Sequence, residues 1–188
     1  MRILFLGNSF TFFHDLPLIV KEMLSCEVAS HTRGGARLQE QLNPETQMGA
    51  RTLKALKEEK WDYVVLQEQS FAPVNTREAF HKSAVELCNL IRENGATPIL
   101  YATWAYKENT EKLSSTGLTH EEMERALYES YHAAADLTGA LVADVGKLFT
   151  KMRTLINPYE PDNYHPSEAG TILAASEIAR VIRENEAK

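Results

Sequence analysis

The chain has 188 residues, 44% hydrophobic and 24% charged, a globular composition long enough to bury a core and expected to form a single domain over residues 1–188. Its formal net charge of −6 at pH 7 argues against an electrostatic hold on nucleic acid or an anionic membrane, both of which need a basic face. The 2 cysteines, Cys26 and Cys88, make no disulfide framework and no zinc-type spacing, and are read as small buried hydrophobes in a reducing compartment.

The chain begins with an apolar run, Ile3–Leu6, as a strand covered on both faces would be. It is too short for the core of a secretory signal, and no later run approaches the ~20 apolar residues of a membrane span, so the expected location is the cytoplasm. The run stops at Gly7, and Asn8-Ser9-Phe10-Thr11 follows. A buried strand ends in this way when it presents a hydroxyl at the rim of a sheet. Leu16–Leu24 reads as a helix with Pro17 tolerated in its first turn, and Glu27–Ser30 as a second, weaker strand. Short helical patterns follow around Arg37–Leu42 and Met48–Glu59. Tyr63–Leu66 is the clearest interior strand. Arg77–Glu93 is a helix stopped by Asn94-Gly95, and Pro98–Ala102 is a fourth strand. Tyr106–Leu118 is polar and irregular, with the character of a mobile flap. Thr119–Leu137 is a long helix opened by the capping box Thr119-x-x-Glu122, Leu141–Asp144 a fifth strand, and Ser167–Glu184 the last helix.

Strands alternating with helices imply an α/β fold with a parallel sheet covered on both faces. Ligands then bind at the carboxyl ends of the strands. Ser9, Gln67, Thr103 and Trp104 all follow strand ends, so the pattern places them on one rim.

A serine hydroxyl needs a base within hydrogen-bond reach, and that base needs an orienting group. Asp162-Asn163-Tyr164-His165 supplies such a pair from one loop, stiffened by Pro158, Pro161 and Pro166. Each part has another reading. A strand, Gly-x-Ser and helix also suit a phosphate held by backbone N–H groups, and Asp-x-x-His before a helix also suits an N-terminal cap. Around the rim, Phe10, Trp104 and Tyr106 are candidates to line a substrate pocket or stack on a sugar ring, with core packing the alternative, and Phe12 and Phe13 stand between the site mouth and the core. His14 is assigned to a helix start. His31, His81, His120 and His132 lack ligand spacing, and no metal site is expected.

Taken together, the Gly7-Asn8-Ser9 block near the N-terminus and the Asp162-x-x-His165 block before the last helix resemble those of the SGNH (GDSL-type) hydrolases, over nearly the whole chain. The resemblance implies a three-layer α/β/α, flavodoxin-like fold with a central parallel sheet of about five strands. It implies Ser9, His165 and Asp162 as nucleophile, base and orienting acid. Its oxyanion donors map to the Ser9 and Gly35 backbone N–H groups, Gly35 also being read as a plain loop glycine. The family's third-block asparagine is absent. Leu66-Gln67-Glu68-Gln69-Ser70 stands in its place, with Gln67 taking the amide role and Gln69 in reserve, while Glu68 is expected to pair with a basic or amide group, such as Arg33 or Arg37, in a structural or supporting role. A similar glutamine-containing block occurs in carbohydrate acetylesterase branches of the superfamily. The implied activity is therefore hydrolysis of a small acyl ester, an acetyl group on a carbohydrate being the narrowest version, with no cofactor and a small-molecule ester as the partner. Thioesterase or acyltransferase activity would use the same residues, and a flavodoxin-like phosphate-binding module is the non-enzyme alternative. Oligomeric state is left open.

Overall fold

The computed structural model describes all residues, Met1–Lys188. In chain order the elements are β1 (Arg2–Gly7), α1 (Ser9–Phe12), α2 (Leu16–Leu24), β2 (Glu27–Thr32), α3 (Leu38–Gln41), α4 (Gln47–Glu58), β3 (Tyr63–Leu66), α5 (Ala72–Asn75), α6 (Arg77–Asn94), β4 (Thr97–Tyr101), α7 (Glu111–Ser114), α8 (His120–Thr138), β5 (Leu141–Ala143), α9 (Val145–Met152) and α10 (Glu168–Glu186). The five strands form one sheet in the order β2-β1-β3-β4-β5, every pair parallel.

Side chains alternate between the two faces of a strand, so each apolar run feeds two cores. Leu4, Leu6, Val64, Leu66 and Leu100 face a layer that includes Leu87 and Ile91 of α6 and Leu127 of α8. Their neighbours Ile3, Phe5, Val65, Ile99 and Tyr101 face the other layer, with Leu16 and Val20 of α2, Phe149 of α9 and Ile178 and Ile182 of α10. The result is the three-layer α/β/α architecture expected from the alternation. No helix is long and apolar enough to cross a membrane.

Several element bounds differ from the sequence expectation. β2 continues to Thr32 because Leu6 and Gly7 still have partners in His31 and Thr32. β5 ends at Ala143, and Asp144 instead pairs with His132 Nε2 at 2.9 Å. α9 was not foreseen, because it starts two residues after a strand and is only 8 residues long. The segment Tyr106–Leu118 is not wholly irregular. It holds α7, whose first turn is capped by Thr110 Oγ1 and whose Leu113 is buried against the core.

The topology places the site. β1 is bordered by β2 on one side and β3 on the other, so successive connections leave it in opposite directions. A crevice opens outside the carboxyl ends at such a switch point. Ser9 leaves β1 at that crevice, and Gln67–Ser70 leave β3 beside it.

Candidate active site

Gly7 is required where β1 ends. A Cβ there would lie 2.4 Å from Thr11 Oγ1 and 2.7 Å from Gln67 Oε1. Asn8 then caps α1, its Oδ1 accepting the Phe10 N–H at 3.1 Å, while its Nδ2 donates to the Ala36 carbonyl at 2.9 Å. This one side chain fixes the serine turn to the loop that carries Gly34 and Gly35.

Ser9 Oγ lies 2.8 Å from His165 Nε2, and His165 Nδ1 lies 2.6 Å from Asp162 Oδ2. A carboxylate accepts, so Nδ1 carries the proton and Nε2 presents its lone pair to the serine O–H. Asp162 Oδ1 also accepts the backbone N–H groups of Tyr164 at 3.2 Å and His165 at 3.0 Å. Partial desolvation raises the Asp162 carboxyl pKa. The hydrogen bonds from the His165 side chain and from the two backbone groups outweigh it and hold the carboxyl below its ordinary range. Phe13 stacks flat on the His165 ring, with centroids 4.3 Å apart, and fixes the imidazole plane. The loop is pinned by Glu160 N–H to His165 O, Ser167 N–H to Pro158 O and Lys107 N–H to Asn163 O, each at 2.9 Å.

Ser9 and His165 open onto a cavity of about 360 Å³, also lined by Asn8, Phe10, Phe13, Gly34, Gly35, Gln69, Ser70, Lys112 and Tyr164. Two backbone donors at this cavity are unspent. Ser9 opens α1 and its N–H has no intrahelical acceptor. The Gly35 N–H donates to no protein atom. Gly35 also sits at φ +67, a left-handed conformation that favours glycine.

Three expectations are corrected. Gln67 does not reach the cavity. It is fully buried, its Oε1 accepting the Asn8 N–H and the Thr11 hydroxyl, both at 2.9 Å, and its amide nitrogen donating to the Glu68 carbonyl. It braces the strand ends, and the reserve residue Gln69 lines the cavity instead. Gln69 Oε1 accepts the N–H groups of Phe71 and Ala72 at 3.0 Å, and its Nε2 donates to Ser70 Oγ at 3.1 Å with a second N–H left over. Trp104 is core, stacked between Phe10 and Phe149 with centroids 4.5 and 3.9 Å away, and its Nε1 donates to the Tyr164 carbonyl. Tyr106 is buried behind the wall, its hydroxyl 2.7 Å from Ser70 Oγ. Of the aromatic candidates, Phe10 and Phe13 line the cavity and Phe12 does not. Lys112 and Tyr164 line it without having been singled out. Tyr164 lies inside the Asp-x-x-His block, where its position beside His165 was a usable signal; nothing local marked Lys112.

Glu68 takes amide N–H partners and neither arginine. Arg33 pairs with Glu40, and Arg37 donates to Thr76 Oγ1 at 3.3 Å. Glu68 is buried and accepts two backbone N–H groups, Gln69 at 2.6 Å and Leu38 at 3.2 Å, tying the Gln69 segment to the end of the Gly35 loop. Burial pushes its carboxyl up to about 7, against the opposing pull of those two N–H groups and the Arg37 charge. The folded state therefore keeps a proton that the unfolded chain loses near 4.5. The stability from Glu68 is fully present below that value and is lost as pH rises to about 7. The shift corresponds to about 3 kcal/mol. Urea denaturation across this range is expected to show that Glu68→Gln, relative to the parent chain, lacks that decline. Parallel curves for the two proteins would contradict the assignment.

The other histidines are engaged away from the Ser9–His165 pair: His14 with Glu160, His31 with Thr52, His81 with the Ser130 carbonyl, His120 with the Tyr106 carbonyl and His132 with Asp144. No group of three or more His, Cys, Asp or Glu side chains is arranged to hold a metal ion.

No protein-family model matches the chain, and no curated protein matches it in sequence. Among solved structures, a protein from Slackia heliotrinireducens assigned to the SGNH hydrolases is 42% identical, with a TM-score of 0.92, over 97% of this chain and 98% of that one. A DUF4886 family protein from Bacteroides uniformis is 21% identical, with a TM-score of 0.77, over 98% of this chain and 83% of that one. An acetylxylan esterase from Geobacillus stearothermophilus is 15% identical, with a TM-score of 0.70, over 96% of this chain and 93% of that one. The last two share the fold.

Proposed function

This chain belongs to the SGNH hydrolases, and from that premise we propose that it is a serine esterase of small acyl esters, acting as a single domain. Ser9 Oγ attacks the ester carbonyl as His165 Nε2 takes its proton. Asp162 holds the Nδ1–H tautomer and stabilises the imidazolium that forms. The developing oxyanion is received by the Ser9 and Gly35 N–H groups and by Gln69 Nε2. His165 then protonates the leaving alkoxide, and the acyl group stays on Ser9. Water, deprotonated by His165, attacks the acyl-enzyme and releases the acid. Side chains and backbone groups of this chain carry each step.

The observation that carries this reading is the continuous Ser9–His165–Asp162 relay, with contacts of 2.8 and 2.6 Å, beside two unspent backbone donors at one cavity. A cavity of about 360 Å³ lies in the size range of small-molecule sites. The shared fold of an acetylxylan esterase makes an acetyl group on a carbohydrate the narrowest version.

The test is a panel of aryl esters of rising acyl length beside acetylated sugars, with and without an added alcohol acceptor. Acid release from the shortest esters is expected. Acyl transfer to the alcohol in preference to water would favour a transferase, and inertness toward every ester would overturn the proposal. The amide assignment has its own test. Gln69→Ala is expected to lower kcat by about 10²-fold, with a smaller stability loss of about 1 kcal/mol as the part-buried Phe71 and Ala72 N–H groups lose their acceptor. Gln67→Ala is expected to lose about 1–3 kcal/mol of stability, since buried Asn8 and Thr11 donors lose their acceptor. The reverse pattern would restore Gln67 as the donor.

A further inference from the structure

Lys112 is the only lysine, arginine, aspartate or glutamate that lines the Ser9 cavity. It comes from α7, on a segment with no sequence link to either catalytic block. Its Nζ lies 4.3 Å from the centroid of the Tyr164 ring and 5.2 Å from that of Tyr106. Those rings meet edge to face at 5.6 Å. The platform is held from behind, because Tyr106 bonds to Ser70 and the Tyr164 carbonyl takes the Trp104 N–H. The ammonium thus rests over two fixed aromatic faces, which orient it without neutralising it. It makes no ion pair, although the chain has 26 Asp and Glu against 20 Lys and Arg. An unpaired cation on the wall of a concave site selects for a negative group on the ligand.

The side of the ester follows from the same geometry. Tyr164, under the ammonium, packs at a tilt of 39° against His165, with ring centroids 4.1 Å apart. In the esterase reading His165 protonates the leaving oxygen, so the alcohol portion lies on the His165 side. We propose that the natural substrate is an anionic ester whose alcohol portion carries a carboxylate, phosphate or sulfate, such as an acylated acidic sugar, and that Lys112 receives that charge. This rests on the esterase reading above.

The experiment compares two matched pairs of esters, each normalised to its spontaneous hydrolysis. In one pair the charge is on the alcohol: 3-acetoxybenzoate against neutral 3-acetoxybenzamide. In the other it is on the acyl group: monophenyl succinate against phenyl butanoate. The parent chain is expected to favour 3-acetoxybenzoate by about tenfold in kcat/KM, chiefly through KM, as a charge-assisted contact would. Added salt is expected to shrink the preference. Lys112→Met is expected to bring the ratio close to one, and Lys112→Arg to keep most of it. A ratio near one in the parent chain, a preference confined to the succinate, or an undiminished ratio in Lys112→Met would overturn the proposal while leaving the esterase reading intact. Failure to turn over any of the four esters would overturn both.

Discussion

Ser9→Ala is expected to lower kcat/KM for a short aryl acetate by about 10⁴-fold or more, the scale seen when a Ser-His-Asp arrangement loses its nucleophile. The folded state is expected to be unaffected, because the hydroxyl makes a single hydrogen bond, to His165, at the cavity wall. His165→Ala should fall to a similar level, and the double variant scarcely further, because nucleophile and base act in one step and their losses do not add. Asp162→Asn should retain the loop but lose the carboxylate that fixes the Nδ1–H tautomer. Residual hydrolysis above background in all of them would come from the donors at Ser9, Gly35 and Gln69. Steady-state kinetics beside thermal melts checks these outcomes. Additive losses across the double variant would mean that the two side chains work independently.

The second large effect is expected far from the reacting atoms. Gly170 lies in the first turn of α10, and a Cβ there would sit 2.2 Å from the Pro158 carbonyl oxygen and 2.9 Å from Phe149 Cζ. Neither is the free end of a flexible chain. The same Pro158 carbonyl accepts the Ser167 N–H at 2.9 Å, and Tyr159 bridges Pro166 across the loop. Moving Pro158 therefore moves the segment that holds Asp162 and His165. Gly170→Ala is expected to cost about 1–3 kcal/mol as overpacking. It is also expected to lower kcat about 10²-fold, since a displacement near 1 Å is enough to misalign a base and its nucleophile. A melt and a kcat measurement on one preparation decide the matter. Full activity with a lowered melting temperature would mean that the loop tolerates the shift.

The parts of the molecule legible in the sequence are those with short-range signals. Ile3–Leu6 and Tyr63–Leu66 are apolar without interruption because both faces of the sheet are covered, and the capping box at Thr119 announces α8. Ser9, Asp162 and His165 stand out in the sequence at a strand end and in the loop before the last helix, positions that the fold brings within hydrogen-bond reach. Gly35 stands out through the resemblance to the family's second block, and it lines the cavity at a positive φ.

The misassigned residues depend on where the chain turns. Gln67 directly follows β3, but its N–H still bonds to the Leu6 carbonyl at 2.9 Å, so it extends the ladder and its side chain stays beneath the serine turn. The chain bends only after it, and Gln69 is delivered to the rim. Trp104 follows β4 and was a rim candidate, yet the unforeseen helix α9 supplies Phe149 as the other half of its slot. Glu68 beside two arginines in a list of residues looks like half of an ion pair. In space its carboxyl meets backbone N–H groups, while Glu40 takes Arg33. Lys112 needed the tertiary path of the 106–118 segment, which no periodicity reveals.

The central claim is that Ser9 is made nucleophilic by His165 across a separation of 156 residues. A fluorophosphonate reports this directly, because it captures an activated serine without requiring the natural ester. At neutral pH the account predicts a single adduct on the parent chain, mapped by mass spectrometry to the peptide containing Ser9. It predicts no adduct on Ser9→Ala and strongly slowed labelling on His165→Ala. An unlabelled Ser9, under conditions that label a control serine esterase, or labelling that proceeds as fast without His165, would contradict it.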